Sequence, residues 1–122
     1  MKRILTFIFI LISFNSFAVE KKTTFTNEIF KKAQADGKIV IINSWQKICY
    51  TCKKQMKILN QAKKDFNNFL FLSYEQTKYK DIAKLLNIKY WTTIVIYQNN
   101  KEIYRSIGET NKEKIYSQLN LL

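Results

Sequence analysis

Residues 39–53 read IVIINSWQKICYTCK, and the fold class turns on that stretch. Ile39, Val40, Ile41 and Ile42 form an unbroken apolar run of the kind expected of a strand covered on both faces. The run gives out near Ser44, and residues 45–48 then lead to Cys49. Over residues 50–66, Cys52, Met56, Leu59 and Phe66 recur on one face of a helix while lysines fill the other. The stretch therefore predicts a strand, a short loop and a helix, with Cys49 at the helix start and Cys52 almost one turn further on.

Upstream, Phe25, Ile29, Phe30 and Ala33 stand at helical spacing, and Asp36-Gly37 stops that helix. Residues 19–26 are polar and read as a frayed lead-in. Downstream, Asn67-Asn68 turns the chain into a second strand over residues 69–74. A short helix over residues 81–86 is expected to bury Ile82, Leu85 and Leu86. Strands over 93–97 and 102–107 are joined by a polar hairpin loop, residues 98–101. Gly108 breaks the last strand, and Thr110 with Glu113 matches a capping box for a final helix carrying Ile115, Leu119 and Leu122. The order is α-β-α-β-α-β-β-α. A strand–helix–strand start demands a parallel pair with a right-handed crossover, and the closing hairpin is antiparallel. The expected class is α/β, a mixed four-stranded sheet flanked by helices on both faces.

The N-terminus has the layout of a secretory leader. Lys2 and Arg3 precede an apolar run over residues 4–12, and Ser16-Phe17-Ala18 has the small-x-small ending a signal peptidase prefers. Cleavage is expected after Ala18, leaving residues 19–122 as one domain. The apolar run falls short of a membrane span, although an uncleaved N-terminal anchor in an inner membrane is the alternative. Both readings place the domain outside the cytoplasm, in a periplasm or an equivalent space.

The full chain has a net charge of +12, and without residues 1–18 it has 19 basic against 9 acidic residues, or +10. Such a balance invites a nucleic-acid reading. The lysines, however, are scattered as Lys31-Lys32, Lys53-Lys54, Lys63-Lys64 and Lys78 with Lys80, and they form no dense arm. Export also argues against that partner. Solvated helix faces, with some attraction to acidic partners or membranes, account for them better. Tyr90, Trp91, Tyr97 and Tyr104 suggest a stacking platform, but core or edge packing in a small domain explains them more simply.

The two cysteines carry the chemistry. A helix N-terminus offers unpaired N–H groups and the positive end of the dipole, so a thiolate at Cys49 is stabilised there. Cys52 is placed to close a disulfide with it and to resolve a mixed disulfide. An inert crosslink is the plainer alternative, but a four-residue loop constrains an unfolded chain little. Structural zinc needs four ligands, and the chain supplies two cysteines and no histidine. A copper(I) site using both thiolates stays open as an alternative.

With those residues in hand, residues 19–122 resemble the thioredoxin family over almost their whole length. IVIINSWQKICYTCK is similar to the family's strand, Trp-containing loop and active-site turn, and Asn43-Ser44-Trp45 is nearer to exported members than to cytosolic ones. LNIKYWTTIVIY, residues 86–97, resembles the segment that bears the family's cis-proline. The resemblance implies a thioredoxin fold and a protein-disulfide oxidoreductase, with Cys49 as nucleophile and Cys52 as resolving thiol. Trp45 would pack beside the site and, with Ile48, Tyr50, Thr51, Trp91 and Thr92, make its substrate-binding part. The pair itself serves as the redox group, with no external cofactor and no metal. Partners would be protein thiols or disulfides and a periplasmic or membrane electron partner, with no nucleic acid, and the protein would be a monomer.

Three residues depart from the family pattern. Thr92 stands where the cis-proline is expected, so the Trp91–Thr92 bond is predicted to be trans. Its N–H and hydroxyl would be added beside the nucleophile, slowing release of a mixed disulfide or favouring a bound ion. Restoring proline there is expected to raise the exchange rate. Ile48 replaces the usual Trp before the first cysteine, and Asn43 replaces a buried acid and cannot accept a proton. With no histidine to supply an imidazolium, a reductant or carrier is favoured over a strong oxidant. The rival of another class is a thioredoxin-fold binding module, for partners or copper(I), that turns over poorly.

Overall fold

The computed structural model describes residues 21–122, so the expected leader lies outside the described residues. The apolar run of residues 39–42 becomes β1 (Val40–Trp45), and all six of its residues are buried. It lies inside a four-stranded sheet of order β2-β1-β3-β4, with β2 (Leu70–Glu75) on one side and β3 (Thr93–Gln98) on the other. The β1–β2 pair is parallel, matching Val40 to Leu70 and Trp45 to Glu75. β3 runs antiparallel to both β1 and β4 (Lys101–Ile107). Asn99 and Asn100, both at positive φ, close the β3–β4 hairpin in two residues, as the twist of a hairpin favours.

Side chains alternate across β1, and this explains the unbroken apolar run. Val40 and Ile42 enter a core with Phe30, Leu72, Tyr74 and Val95, under α1 (Asn27–Ala35) and α3 (Lys80–Leu85). Ile41 enters the opposite core with Leu59, Ile94, Ile96 and Leu119, under α2 (Tyr50–Asp65) and α4 (Lys112–Leu119). Trp45 packs with Cys52 and Met56 in a smaller cluster at the end of β1. The mixed four-stranded α/β sheet with helices on both faces stands as the sequence predicts.

The boundaries correct several local expectations. The lead-in is not frayed where it is described. Thr24 and Phe25 donate their N–H groups to the Ser73 carbonyl, and the Thr24 hydroxyl accepts from Ser73 N, so this segment covers the outer edge of β2. Phe25 precedes the N-cap, Thr26, and its ring packs 5.4 Å from that of Phe30. That is a hydrophobic staple rather than a first helical turn. Ile29 and Leu85, expected in the core, are exposed, Leu85 to 53%. Both lie at the solvent margin of short helices whose inward stripe is one residue narrower than the spacing suggested. The last helix is capped by Asn111, whose side chain accepts from Lys114 N, and not by Thr110. Either residue type caps well, so only the path of the loop selects between them.

Candidate active site

β1 ends at Trp45, and α2 starts at Tyr50 with Cys49 as its N-cap. The Cys49 sulfur accepts from the Cys52 N–H at 3.1 Å, so it takes the place that a Ser or Asp oxygen fills at other helix starts. Cys49 and Cys52 are joined as a disulfide, with Cα atoms 5.3 Å apart. Cys49 is partly exposed, whereas Cys52 is 0% exposed against Trp45 and Met56. One sulfur faces solvent and its partner is sealed beneath it.

The facing wall is the segment from Tyr90 to Thr93. The Trp91–Thr92 bond is trans, as expected of a threonine there. Thr92 nevertheless has φ of 58°, in the left-handed region, where a β-branched side chain is strained. Three backbone hydrogen bonds hold it, and Ser44 ties its neighbours in place. Its N–H donates to the Ser44 carbonyl at 2.8 Å, and its own carbonyl accepts from Gly108 N at 2.8 Å and Gln55 Nε2 at 3.1 Å. The Ser44 hydroxyl accepts from Thr93 N at 3.1 Å and donates to the Tyr90 carbonyl at 2.7 Å. The Thr93 hydroxyl donates to that same carbonyl.

These bonds correct the expected role of Thr92. Its N–H is engaged by Ser44 and is not offered to a substrate. Its hydroxyl instead lies 3.1 Å from Cys52 Sγ, 3.5 Å from Cys49 Sγ and 2.9 Å from the Thr51 hydroxyl. The same geometry weighs against the expectation that proline raises the exchange rate here. Proline fixes φ near −65° and has no N–H, while this position needs φ of 58° and donates a hydrogen bond.

The residues expected to meet substrate divide into two groups. Ile48 is 92% exposed, Tyr50 77% and Trp91 45%, and Thr51 is exposed beside them. Trp45 and Thr92 are buried, Thr92 to 2% exposure, so they support this surface from below and offer little of it themselves. Tyr90, expected to pack, is exposed next to Trp91. Tyr97 and Tyr104 pack against the two cores as expected. Exposed apolar side chains thus flank the partly exposed Cys49 in the turn and on its facing loop, and Lys54 lies over the Tyr50 ring. Lys21 reaches back to the Gln46 and Lys47 carbonyls and pins the loop before Cys49.

Two functional supports escaped the sequence reading. Gln55, fully buried on α2, bridges the Thr92 carbonyl and the Glu109 carbonyl. Ser44 holds Tyr90, Thr92 and Thr93 together. A polar residue on the apolar face of α2, three positions after Cys52, was the available signal for Gln55. Ser44 gave none beyond its place at a strand end. Asn43 is buried on β1, as expected of the position where an acid was looked for. Among the described residues, no group of three or more His, Cys, Asp or Glu is arranged to hold a metal ion.

Comparison with known proteins agrees with this geometry. The family model described as Thioredoxin matches residues 16–121. Over 83 residues the chain is 32% identical to a thioredoxin of Mycoplasma genitalium, covering 68% of this chain and 81% of the relative. It is 24% identical over 90 residues to an H-type thioredoxin of Fagopyrum esculentum, covering 74% of this chain and 78% of that one. Among solved structures, Trxlp from Edwardsiella tarda superposes with a TM-score of 0.74 at 24% identity, covering 78% of this chain and 94% of that chain. Fasciola hepatica thioredoxin gives 0.69 at 16% identity, covering 77% and 90%. The structural likenesses bear on the fold.

Proposed function

Because this chain belongs to the thioredoxin family, we propose that it exchanges electrons with protein disulfides outside the cytoplasm, with Cys49 attacking and Cys52 resolving. Thiol–disulfide exchange through a paired Cys-x-x-Cys is the family's activity, and this chain carries the pair as a disulfide. The observation that carries the assignment of roles is the asymmetry of the two sulfurs. Cys49 caps α2 at a partly exposed position, and Cys52 is buried behind it.

In the reducing direction, the Cys49 thiolate attacks one sulfur of a substrate disulfide. The substrate S–S bond breaks, one substrate thiolate leaves and takes up a proton, and a mixed disulfide forms. Cys52 then loses its proton and attacks Cys49 Sγ, so the second substrate thiol leaves and the Cys49–Cys52 disulfide is restored. The substrate gains two electrons and two protons, and an electron-donating partner returns the pair to dithiol. The helix N-terminus favours the first thiolate through its N–H groups and dipole. Ile48, Tyr50, Thr51 and Trp91 supply the exposed surface around it for a peptide carrying the target cysteine.

The leader-like residues 1–18 support action in the periplasm or an equivalent compartment, with an electron partner in that space or in its membrane. A strong oxidant owes its potential to a heavily stabilised thiolate, and this chain has no histidine to provide an imidazolium. A reductant or carrier fits better, with a potential nearer to about −270 mV than to about −120 mV.

The test uses purified protein with a dithiol reductant and a disulfide substrate. Turnover is expected, with complete loss in Cys49→Ser and an accumulating mixed disulfide in Cys52→Ser. Absence of turnover together with tight copper(I) binding by both thiols would favour the binding-module reading. Redox equilibration against glutathione then fixes the direction.

A further inference from the structure

The proton that Cys52 must lose has few routes out. Cys52 is fully buried, and a thiolate there would lack solvation until its bond to Cys49 forms. Of the buried polar side chains of β1 and α2, Asn43 and Gln55 end in amides, which do not take up protons at ordinary pH, and the Ser44 hydroxyl is engaged with Thr93 N and the Tyr90 carbonyl and not with a sulfur. Among the described residues, no ionisable side chain is hydrogen-bonded to either sulfur. Lys47, Lys53, Lys54 and Lys89, the charged groups around the turn and its facing loop, are exposed. Glu109 meets α2 through its backbone carbonyl, and its carboxylate accepts from Asn111 N.

Two hydroxyls do reach the sulfurs. Thr92 Oγ1 is 3.1 Å from Cys52 Sγ and 2.9 Å from Thr51 Oγ1, and Thr51 Oγ1 is 3.4 Å from Cys49 Sγ. Thr92 is buried and Thr51 is exposed, so the chain of contacts runs from the sealed sulfur to solvent. Thr92 takes part only because its backbone is held in a conformation that threonine disfavours, which marks the position as one where function and local preference conflict.

We propose that Thr92 and Thr51 form a two-hydroxyl proton relay that serves the resolving step at Cys52. This rests on the exchange reading above. As Cys52 Sγ attacks Cys49 Sγ in the mixed disulfide, the Cys52 proton passes to Thr92 Oγ1, and the Thr92 proton passes to Thr51 Oγ1. The Thr51 proton goes to water or to the departing substrate thiolate. Each hydroxyl gains one proton and loses one, so both end neutral. The Cys49–substrate bond breaks as the Cys49–Cys52 bond forms, and no further oxidant or reductant is involved. In the reverse direction the same hydroxyls return a proton to Cys52 when the disulfide opens. Thr92 touches the reacting sulfur and is a catalytic residue on this account, and Thr51 is the outlet.

The test separates the two chemical steps by rapid mixing of the reduced protein with a fluorescent peptide disulfide. Formation of the mixed disulfide reports on Cys49, and its decay reports on Cys52. In the unaltered protein the decay is expected to show a solvent deuterium isotope effect and little dependence on pH between about 6 and about 8. Thr92→Val, which keeps the branched shape and removes the hydroxyl, is expected to slow the decay roughly tenfold or more, within the usual reach of acid–base assistance. Its rate should then rise with pH as resolution comes to require prior ionisation of Cys52. Thr92→Ser is expected to restore both rate and pH profile. Thr51→Val should have a smaller effect, because water can replace an exposed hydroxyl.

Normal mixed-disulfide formation followed by decay at the unaltered rate in Thr92→Val overturns the relay alone. So does slower decay with an unchanged pH profile, or a failure of serine to rescue, since either marks a packing role. If Thr92→Val does not fold, the unaltered protein still decides, because decay without a solvent isotope effect overturns the relay. If no mixed disulfide forms at all, the exchange reading falls and the relay falls with it.

Discussion

The turn that carries the cysteines and the loop that faces it are built in opposite ways. From Cys49 to Cys52 the geometry is local, since one sulfur caps the helix that holds the other, three residues away. From Tyr90 to Thr93 it is almost wholly long-range, held by Ser44 on β1, Gln55 on α2 and Gly108 at the end of β4. The first segment needs only a strand that stops and a helix that starts. The second needs the finished sheet. The geometry of the cysteine pair is therefore a short-range property of the chain, whereas its surroundings belong to the assembled fold.

If that contrast is right, the largest loss of stability comes from the facing loop. Thr92→Pro removes the hydrogen bond to Ser44 and demands a φ of the wrong sign, at an expected cost of about 3 kcal/mol. Chemical denaturation measures it, and a variant as stable as the parent would show that the loop is far more pliant than its bonds imply. Opening the disulfide should cost less. Closing a four-residue loop removes little entropy from the unfolded chain, so reduction is expected to lower stability by about 2 kcal/mol at most. A much larger loss on adding reductant would make the pair a structural staple and erase the distinction.

Ser44→Ala comes next. It strips a partner from Thr93 N inside the protein, for about 1–2 kcal/mol, and should slow exchange while leaving Cys49 of the reduced protein as reactive to a small alkylating agent as before. Unchanged exchange would mean that the loop's placement does not matter to the chemistry. The smallest effect lies away from both segments. Burial, with help from the hydrogen bond to Asp65, pushes the Tyr116 phenol up to about 12. An unfolded tyrosine ionises near about 10, so the folded state holds its proton longer. The stability this provides is complete below about pH 10 and is lost as the pH rises to about 12. Tyr116→Phe should flatten part of that alkaline decline in thermal unfolding and leave exchange untouched. A changed exchange rate would couple a distant helix to the site.

The legibility of the chain follows the same division. The order of elements, the parallel pair, the hairpin and the helix-capping place of Cys49 all rest on short-range patterns, and they were readable. Leu85 and Ile29 share the inward spacing yet are exposed, because helical spacing identifies a stripe and not its edges. The choice of Asn111 over Thr110 as cap, and the pairing of Thr24 with Ser73, depended on loop paths that no local rule specifies. At the site, the exposure of Ile48 and Tyr50 and the packing of Trp45 follow from the sequence, whereas the exposure of Trp91 beside Tyr90 and the burial of Thr92 do not. Gln55 and Ser44 were missed because their roles lie in partners distant in the chain.

By itself the amino-acid order determined that the Cys-x-x-Cys pair opens a helix, with Cys49 as the cap that sets its partly exposed sulfur against the first N–H groups. It also settled the strand and helix sequence, through periodicities that span a few residues each. Only the tertiary structure decided what stands opposite that sulfur. A left-handed Thr92, with its hydroxyl turned to Cys52, is unfavourable in isolation and exists because β1, α2 and the end of β4 each bond to it once the sheet has formed.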